Sequence, residues 1–155
     1  MKPTNATLFE YLVGEHFSQA TGELVHVMVG NCQGYDGRTE SYALTFECKL
    51  DLRAQDTHNL CFEVAHNKTP SGLSVCTAML WVSGVPKNKY EVDCFQFRVP
   101  VLKKKLAGWQ WFDFADKETG KPKSAVLVPT KKAQEFCEER FTVSFDWGAL
   151  KPWTN

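Results

Sequence analysis

Long apolar runs are missing from this chain. No stretch approaches the ~20 consecutive apolar residues that a membrane-spanning helix needs. No secretory leader is expected: Met1-Lys2-Pro3-Thr4-Asn5 runs into a segment carrying Glu10 and Glu15, with no apolar h-region between. A cytoplasmic protein is the expectation. Closely spaced cysteines are absent. Cys32, Cys48, Cys61, Cys76, Cys94 and Cys137 never fall two to four residues apart, so no short turn aims two thiolates at one zinc ion. Most have apolar neighbours, where free cysteine behaves as a small buried hydrophobe. Net charge is absent as well, because 18 Lys and Arg balance 18 Asp and Glu. That balance argues against a uniformly basic coat for nucleic acid. With no linker, internal repeat or low-complexity stretch, residues 1–155 read as one domain.

A chain of 155 residues buries roughly two thirds of its unfolded surface, so neither disulfide nor structural metal is required. Eleven Phe and five Trp supply the large apolar side chains. The charge that cancels overall is unevenly spread. Residues 1–85 hold five Lys and Arg against nine acids, and residues 86–155 hold thirteen against nine. An acidic half before a basic half suits a carboxylate site beside a phosphate track, and chance produces it equally.

Thr7-Leu8-Phe9-Glu10-Tyr11-Leu12-Val13 has helical spacing, with Thr4 or Asn5 available as N-cap and Gly22 ending the region. Leu24 to Val29 reads as strand, and Asn31 to Gly37 as a turn. From Ser41 to Asp51 the alternation is long: Tyr42, Leu44, Phe46, Cys48 and Leu50 share one parity, and Glu47 and Lys49 the other. Leu60 to Ala65 is a second strand, Ser74 to Met79 a short helix, and Leu80 to Val82 a third strand. Pro100 opens a helix to Lys105 that Gly108 stops. Trp109 to Phe114 and Ala125 to Val128 form a hairpin, and Thr130 caps a helix to about Arg140. Mixed elements in that order predict an α/β domain with helices on the faces of its sheet.

Glu47 and Lys49 are two apart on a strand, so both leave one face while Phe46 and Cys48 enter the core. Phosphodiester hydrolysis needs a hard cation on carboxylate oxygens, and a neighbouring ammonium to offset developing charge. Glu-x-Lys supplies both in one piece, although the tripeptide is common by chance and is usually a solvated ion pair.

Its surroundings are more specific. Phe46-Glu-Cys-Lys-Leu-Asp51, Thr57-His-Asn-Leu-Cys-Phe-Glu63, Pro70-Ser-Gly-Leu73, Thr77-Ala78 and Trp81-Val82 follow in order. They resemble small phage and archaeal-type members of the PD-(D/E)xK, or restriction-endonuclease-like, nucleases. Those carry a Glu-x-Lys strand, a Thr-Gly-Asn turn into a strand ending in Glu, a Pro-Ser-Gly loop and an Ala-x-x-Trp segment. Glu47, Lys49, Thr57, Asn59, Glu63, Pro70, Ser71, Gly72, Ala78 and Trp81 stand in those places, with His58 where the turn has glycine. The match covers about residues 36 to 85.

The resemblance implies a restriction-endonuclease-like central mixed β-sheet flanked by helices, and a Mg²⁺- or Mn²⁺-dependent endonuclease acting on DNA, of phage or mobile-element origin. Glu47 and Asp36 would ligate metal, Lys49 would act on the water, and Glu63 is the next candidate for the site. Asp36 precedes the Glu-x-Lys strand. Glu40 is the alternative first carboxylate, but its parity points it away from Glu47 unless a bulge intervenes. Glu10 and Asn59 are accessory candidates. Lys103, Lys104 and Lys105 would neutralise DNA phosphates, and Trp109 and Trp111 serve core or homodimer packing. The competing readings are a catalytically inactive nuclease-fold binding module or inhibitor of host defence, and a junction-specific nuclease.

Overall fold

The computed structural model describes residues 4–28 and 34–144. Cys32, Val29 and residues 31–33 of the expected turn lie outside them. The chain opens with α1 (Asn5–Thr21). Thr4 caps it by accepting the Thr7 N–H at 3.1 Å, and Gly22 ends it in the left-handed region. Phe9, Val13 and Phe17 repeat every four residues and are buried together, so the helix outlasts the short apolar run that announces it.

Three antiparallel strands follow, β1 (Val25–Val27), β2 (Gly37–Thr39) and β3 (Thr45–Leu50). The single strand expected from Ser41 starts only at Thr45. Thr39 closes a turn across residues 40–43: its N–H donates to the Leu44 carbonyl, its hydroxyl accepts the Leu44 N–H, and Tyr42 takes φ 62°. Glu40 sits in this turn and pairs with His26.

Next come α2 (Ala54–Thr57), β4 (Asn59–His66), β5 (Thr69–Pro70) and a 3-10 turn at Gly72–Val75, which stands where a helix over residues 74–79 was expected. The chain continues through β6 (Leu80–Pro86), β7 (Glu91–Arg98), α3 (Val99–Leu106), β8 (Phe112–Ala115), β9 (Pro122–Pro129), α4 (Thr130–Phe136) and β10 (Glu139–Ser144). The helix expected to reach Arg140 therefore stops at Phe136, and its last residues enter β10, which pairs with β7.

The strands divide into two sheets rather than one. The larger is mixed, in the order β1-β2-β3-β6-β7-β10, with β3 and β6 parallel; the smaller is antiparallel, β5-β4-β9-β8. Phe9, Val13 and Phe17 of α1 pack on one face of the larger sheet, against Phe46, Leu80, Val82, Val92 and Cys94. Its other face, through Trp81, Phe95 and Phe97, packs on Leu60, Phe62, Val126 and Val128 of the smaller sheet, with α3 closing the edge. β6 and β7 are thus buried on both faces. Gly37 permits the close approach on the α1 side: a Cβ there would lie 2.1 Å from the Phe46 ring. The described cysteines are free thiols. Among the described residues, no helix is long and apolar enough to cross a membrane.

Candidate active site

Three carboxylates from three parts of the chain are coupled electrostatically, Glu47 to Asp36 and Glu10, and Glu10 to Asp36. Glu47 leaves β3 on the face away from α1's core, as the alternation of Phe46 and Cys48 dictates. Asp36 lies one residue before β2, where the ladder becomes irregular. Its N–H donates to the Phe46 carbonyl at 2.8 Å, and its Oδ2 accepts the Cys48 N–H at 2.7 Å. The two bonds hold Asp36 to the residues on either side of Glu47. Glu10 reaches the group from the first half of α1, between the buried Phe9 and Val13.

The trio is electrostatically crowded. Burial, then the charges of Asp36 and Glu10, pushes Glu47 up to about 7. Burial and then Asp36 push Glu10 up to about 7. Burial raises Asp36 too, opposed by the Cys48 N–H. The half-buried Cys48 thiol is raised by burial first and then by charges that include the same three carboxylates. Like charges in a half-buried place favour protonation or a cation.

Lys49 is exposed and leaves β3 on the Glu47 face. Its charge falls on the next cluster along, offsetting the burial of Asp51 and of the Cys61 thiol. Asp51 is structural: Oδ2 accepts the Cys61 N–H at 2.8 Å and Oδ1 the Ala54 N–H at 3.3 Å, fastening β3 to β4 and α2. Glu63 sits on β4 in the smaller sheet, where Lys123 pairs with it at 3.0 Å. It belongs to the charges around Cys61, together with Lys49, Asp51 and Lys123. Asn59 starts β4, with its N–H on the Thr57 hydroxyl. The structure therefore couples Glu10, Asp36 and Glu47 electrostatically, and places Lys49 and Glu63 in a neighbouring group around Cys61. No family model matches the chain, and no curated protein matches it.

All three lysines of α3 are exposed in its last turn, and Lys103 Nζ donates to the Cys76 carbonyl at 3.0 Å. No sequence spacing signals this bond, because it joins residues 27 apart through the packing of α3 on the 3-10 turn. Among the described residues, no three His, Cys, Asp or Glu side chains are already arranged as a metal's ligand set. The donor chemistry nonetheless fits a hard cation such as Mg²⁺, which usually takes one or two carboxylates and completes its shell with water and phosphate. Asp36 and Glu47 are two such carboxylates. One oxygen of Asp36 accepts the Cys48 N–H.

Proposed function

We propose that this domain is a Mg²⁺- or Mn²⁺-dependent deoxyribonuclease of restriction-endonuclease-like type, cutting within DNA. The observation that carries the reading is the electrostatic coupling of half-buried Glu10, Asp36 and Glu47, where burial first and then neighbouring carboxylate charge push both glutamates up to about 7. Crowding of this kind opposes folding, and it is typical of sites shaped for chemistry. The Glu-x-Lys strand within a mixed sheet, with a helix on its face, supports the same reading.

Glu47 and Asp36 would hold the cation, with Glu10 as an accessory ligand. When bound, such a cation neutralises phosphate charge and lowers the pKa of a water molecule. Lys49, on the Glu47 face, orients the attacking water and offsets charge developing on the phosphate. Asp36 keeps its orientation through the Cys48 N–H. Glu63 is paired with Lys123 in the neighbouring group on the smaller sheet.

Supercoiled and linear duplex DNA, incubated with the purified protein in Mg²⁺, Mn²⁺, Ca²⁺ or EDTA, test the reading. Cleavage is expected with Mg²⁺ or Mn²⁺ and not with Ca²⁺, whose ligand shell is longer and looser. Glu47→Gln should stay folded, bind DNA and lose at least about a hundredfold in rate, as when one stabiliser of the transition state is removed. A parent that cuts no DNA form would favour the binding or inhibitor module. Equal cutting in EDTA would remove the metal from the reading.

A further inference from the structure

The smaller sheet ends at the rung between Asn59 and Pro129, where α2 leads into β4 and α4 leaves β9. The Thr130 N–H donates to the His58 carbonyl at 2.9 Å and ties the two helices together. Between them and the β6–β7 hairpin lies a cavity of about 410 Å³, with β10 at its side. Strand register decides which residues line it. Val85 pairs with Asp93, and Phe95 with Arg140, so alternation sends all four to the face that Phe95 presents to the smaller sheet. Pro86 and Lys87 complete that wall. The Arg140 guanidinium stacks over the Phe95 ring, 4.5 Å from its centroid. Among the described residues its one carboxylate neighbour is Asp93, at 4.0 Å and so beyond hydrogen-bond length. Stacking fixes the plane of the guanidinium and leaves its N–H edge for an incoming anion. The row of Glu47 crosses β6 at Trp81, so about 13 Å of strand separates it from Val85.

We propose that this cavity binds a phosphorylated nucleoside, with the phosphate on Arg140 and Lys87 and the base on the apolar surface of Ala54, Val85 and Pro86. The volume lies in the range of small-ligand sites. Two cations call for an anionic group, and a guanidinium suits the paired oxygens of a phosphate. Two carboxylates on the same walls, Asp56 and Asp93, oppose a polyanion and call for hydrogen-bond donors on the rest of the ligand. The sugar hydroxyls and the exocyclic amine of an adenosine-type monophosphate supply those donors, and its ring is a flat body for the apolar floor. The inference stands apart from the nuclease reading, because it uses none of Glu10, Asp36, Glu47 or Lys49.

Titration of the ¹⁵N-labelled full chain with adenosine 5′-monophosphate, adenosine or inorganic phosphate, read at the Arg140 Nε–H and the backbone N–H groups of Lys87 and Phe95, tests it. The monophosphate should saturate. Adenosine and phosphate should each bind at least about tenfold more weakly, since a hydrogen bond to a charged group is worth about a decade in affinity. Arg140→Gln should melt near the parent without ligand and lose about tenfold or more in affinity. Lys87→Ala should lose part of that, and carries the comparison if Arg140→Gln does not fold. Lys131→Ala, exposed on α4 outside the cavity, should bind as the parent does. A 5′-phosphorylated oligonucleotide that binds more tightly than the mononucleotide, and loses this in the same variants, would support the site with a DNA end as the source of the ligand. No saturable shift at about 10 mM monophosphate, or parental affinity in both cavity variants, would overturn the inference. So would adenosine or inorganic phosphate binding as tightly as the monophosphate. DNA cleavage decides the nuclease reading separately.

Discussion

Glu47 is held by this fold more readily as an acid than as a carboxylate. Burial and the charges of Asp36 and Glu10 raise it to about 7, and Glu10 rises likewise through burial and Asp36. The sign follows from linkage. A folded-state pKa above the unfolded value means that stability is fully present below about 4.5, and is lost as pH rises through about 7. Thermal melting of the metal-free protein should therefore fall across that window. Glu47→Gln should flatten the fall and melt above the parent at pH 8. Mg²⁺ added at pH 8 should raise the parent's melting temperature more than the variant's, because ligation requires deprotonated carboxylates. A parent whose melting is flat from pH 4.5 to 8, and indifferent to the substitution, would contradict the crowding of the three carboxylates. Glu47 and Lys49 are legible in the sequence because alternation fixes their face. Asp36 is legible only as the nearest acid upstream. What holds it beside Glu47 is an irregular pairing in which one residue bonds both Phe46 and Cys48, and no periodicity encodes that.

Asp51 shows how one side chain can join elements that the sequence leaves separate. Its two oxygens receive the N–H groups of Cys61 and Ala54, so the end of β3, the start of α2 and the body of β4 are set by one carboxylate. It is buried, so its replacement leaves the Cys61 N–H without this acceptor where water reaches poorly. Asp51→Ala should cost about 1–3 kcal/mol in a urea melt, the penalty of an unsatisfied buried donor. Lys49→Ala, on the same face but exposed, should stay within about 0.5 kcal/mol. Equal losses would show that Asp51 is not the fastening point. The helices α1 and α3 are readable from apolar spacing, Thr4, Pro100 and Gly108. β7 and β10 are not. β7 alternates Val92 and Cys94 toward α1 with Phe95 and Phe97 toward the smaller sheet, and two buried faces erase the polar-apolar contrast that marks a half-exposed strand. The division into two sheets is equally hidden, since only long-range pairing between β4 and β9 creates the second one.

A chain with no net charge must bind DNA, if it does, through the placement of its charges rather than their sum. The acids of the candidate site belong to α1, β3 and the segment before β2, in the acidic half of the chain. The lysines of α3 belong to the basic half, and the packing of α3 on the 3-10 turn brings Lys103 to the Cys76 carbonyl. Lys104 and Lys105 lie in the last turn of α3, and both are exposed. A lysine that neutralises a phosphate there releases a condensed counterion, and the release is what salt opposes. In a Glu47→Gln background, where DNA should remain uncut, anisotropy titrations of a labelled duplex from low to moderate salt give the slope of log K against log[salt]. Lys104→Ala with Lys105→Ala should flatten that slope by up to about 0.9 for each duplex phosphate left without its lysine. The affinity should fall by a similar factor for duplexes of unrelated sequence, because binding to phosphate carries no base information. Lys103→Gln in the same background should change the slope by no more than a single phosphate would. An unchanged slope in the double variant would make Lys104 and Lys105 solvated surface, and the phosphate track would then have to be sought among the other cations of the second half.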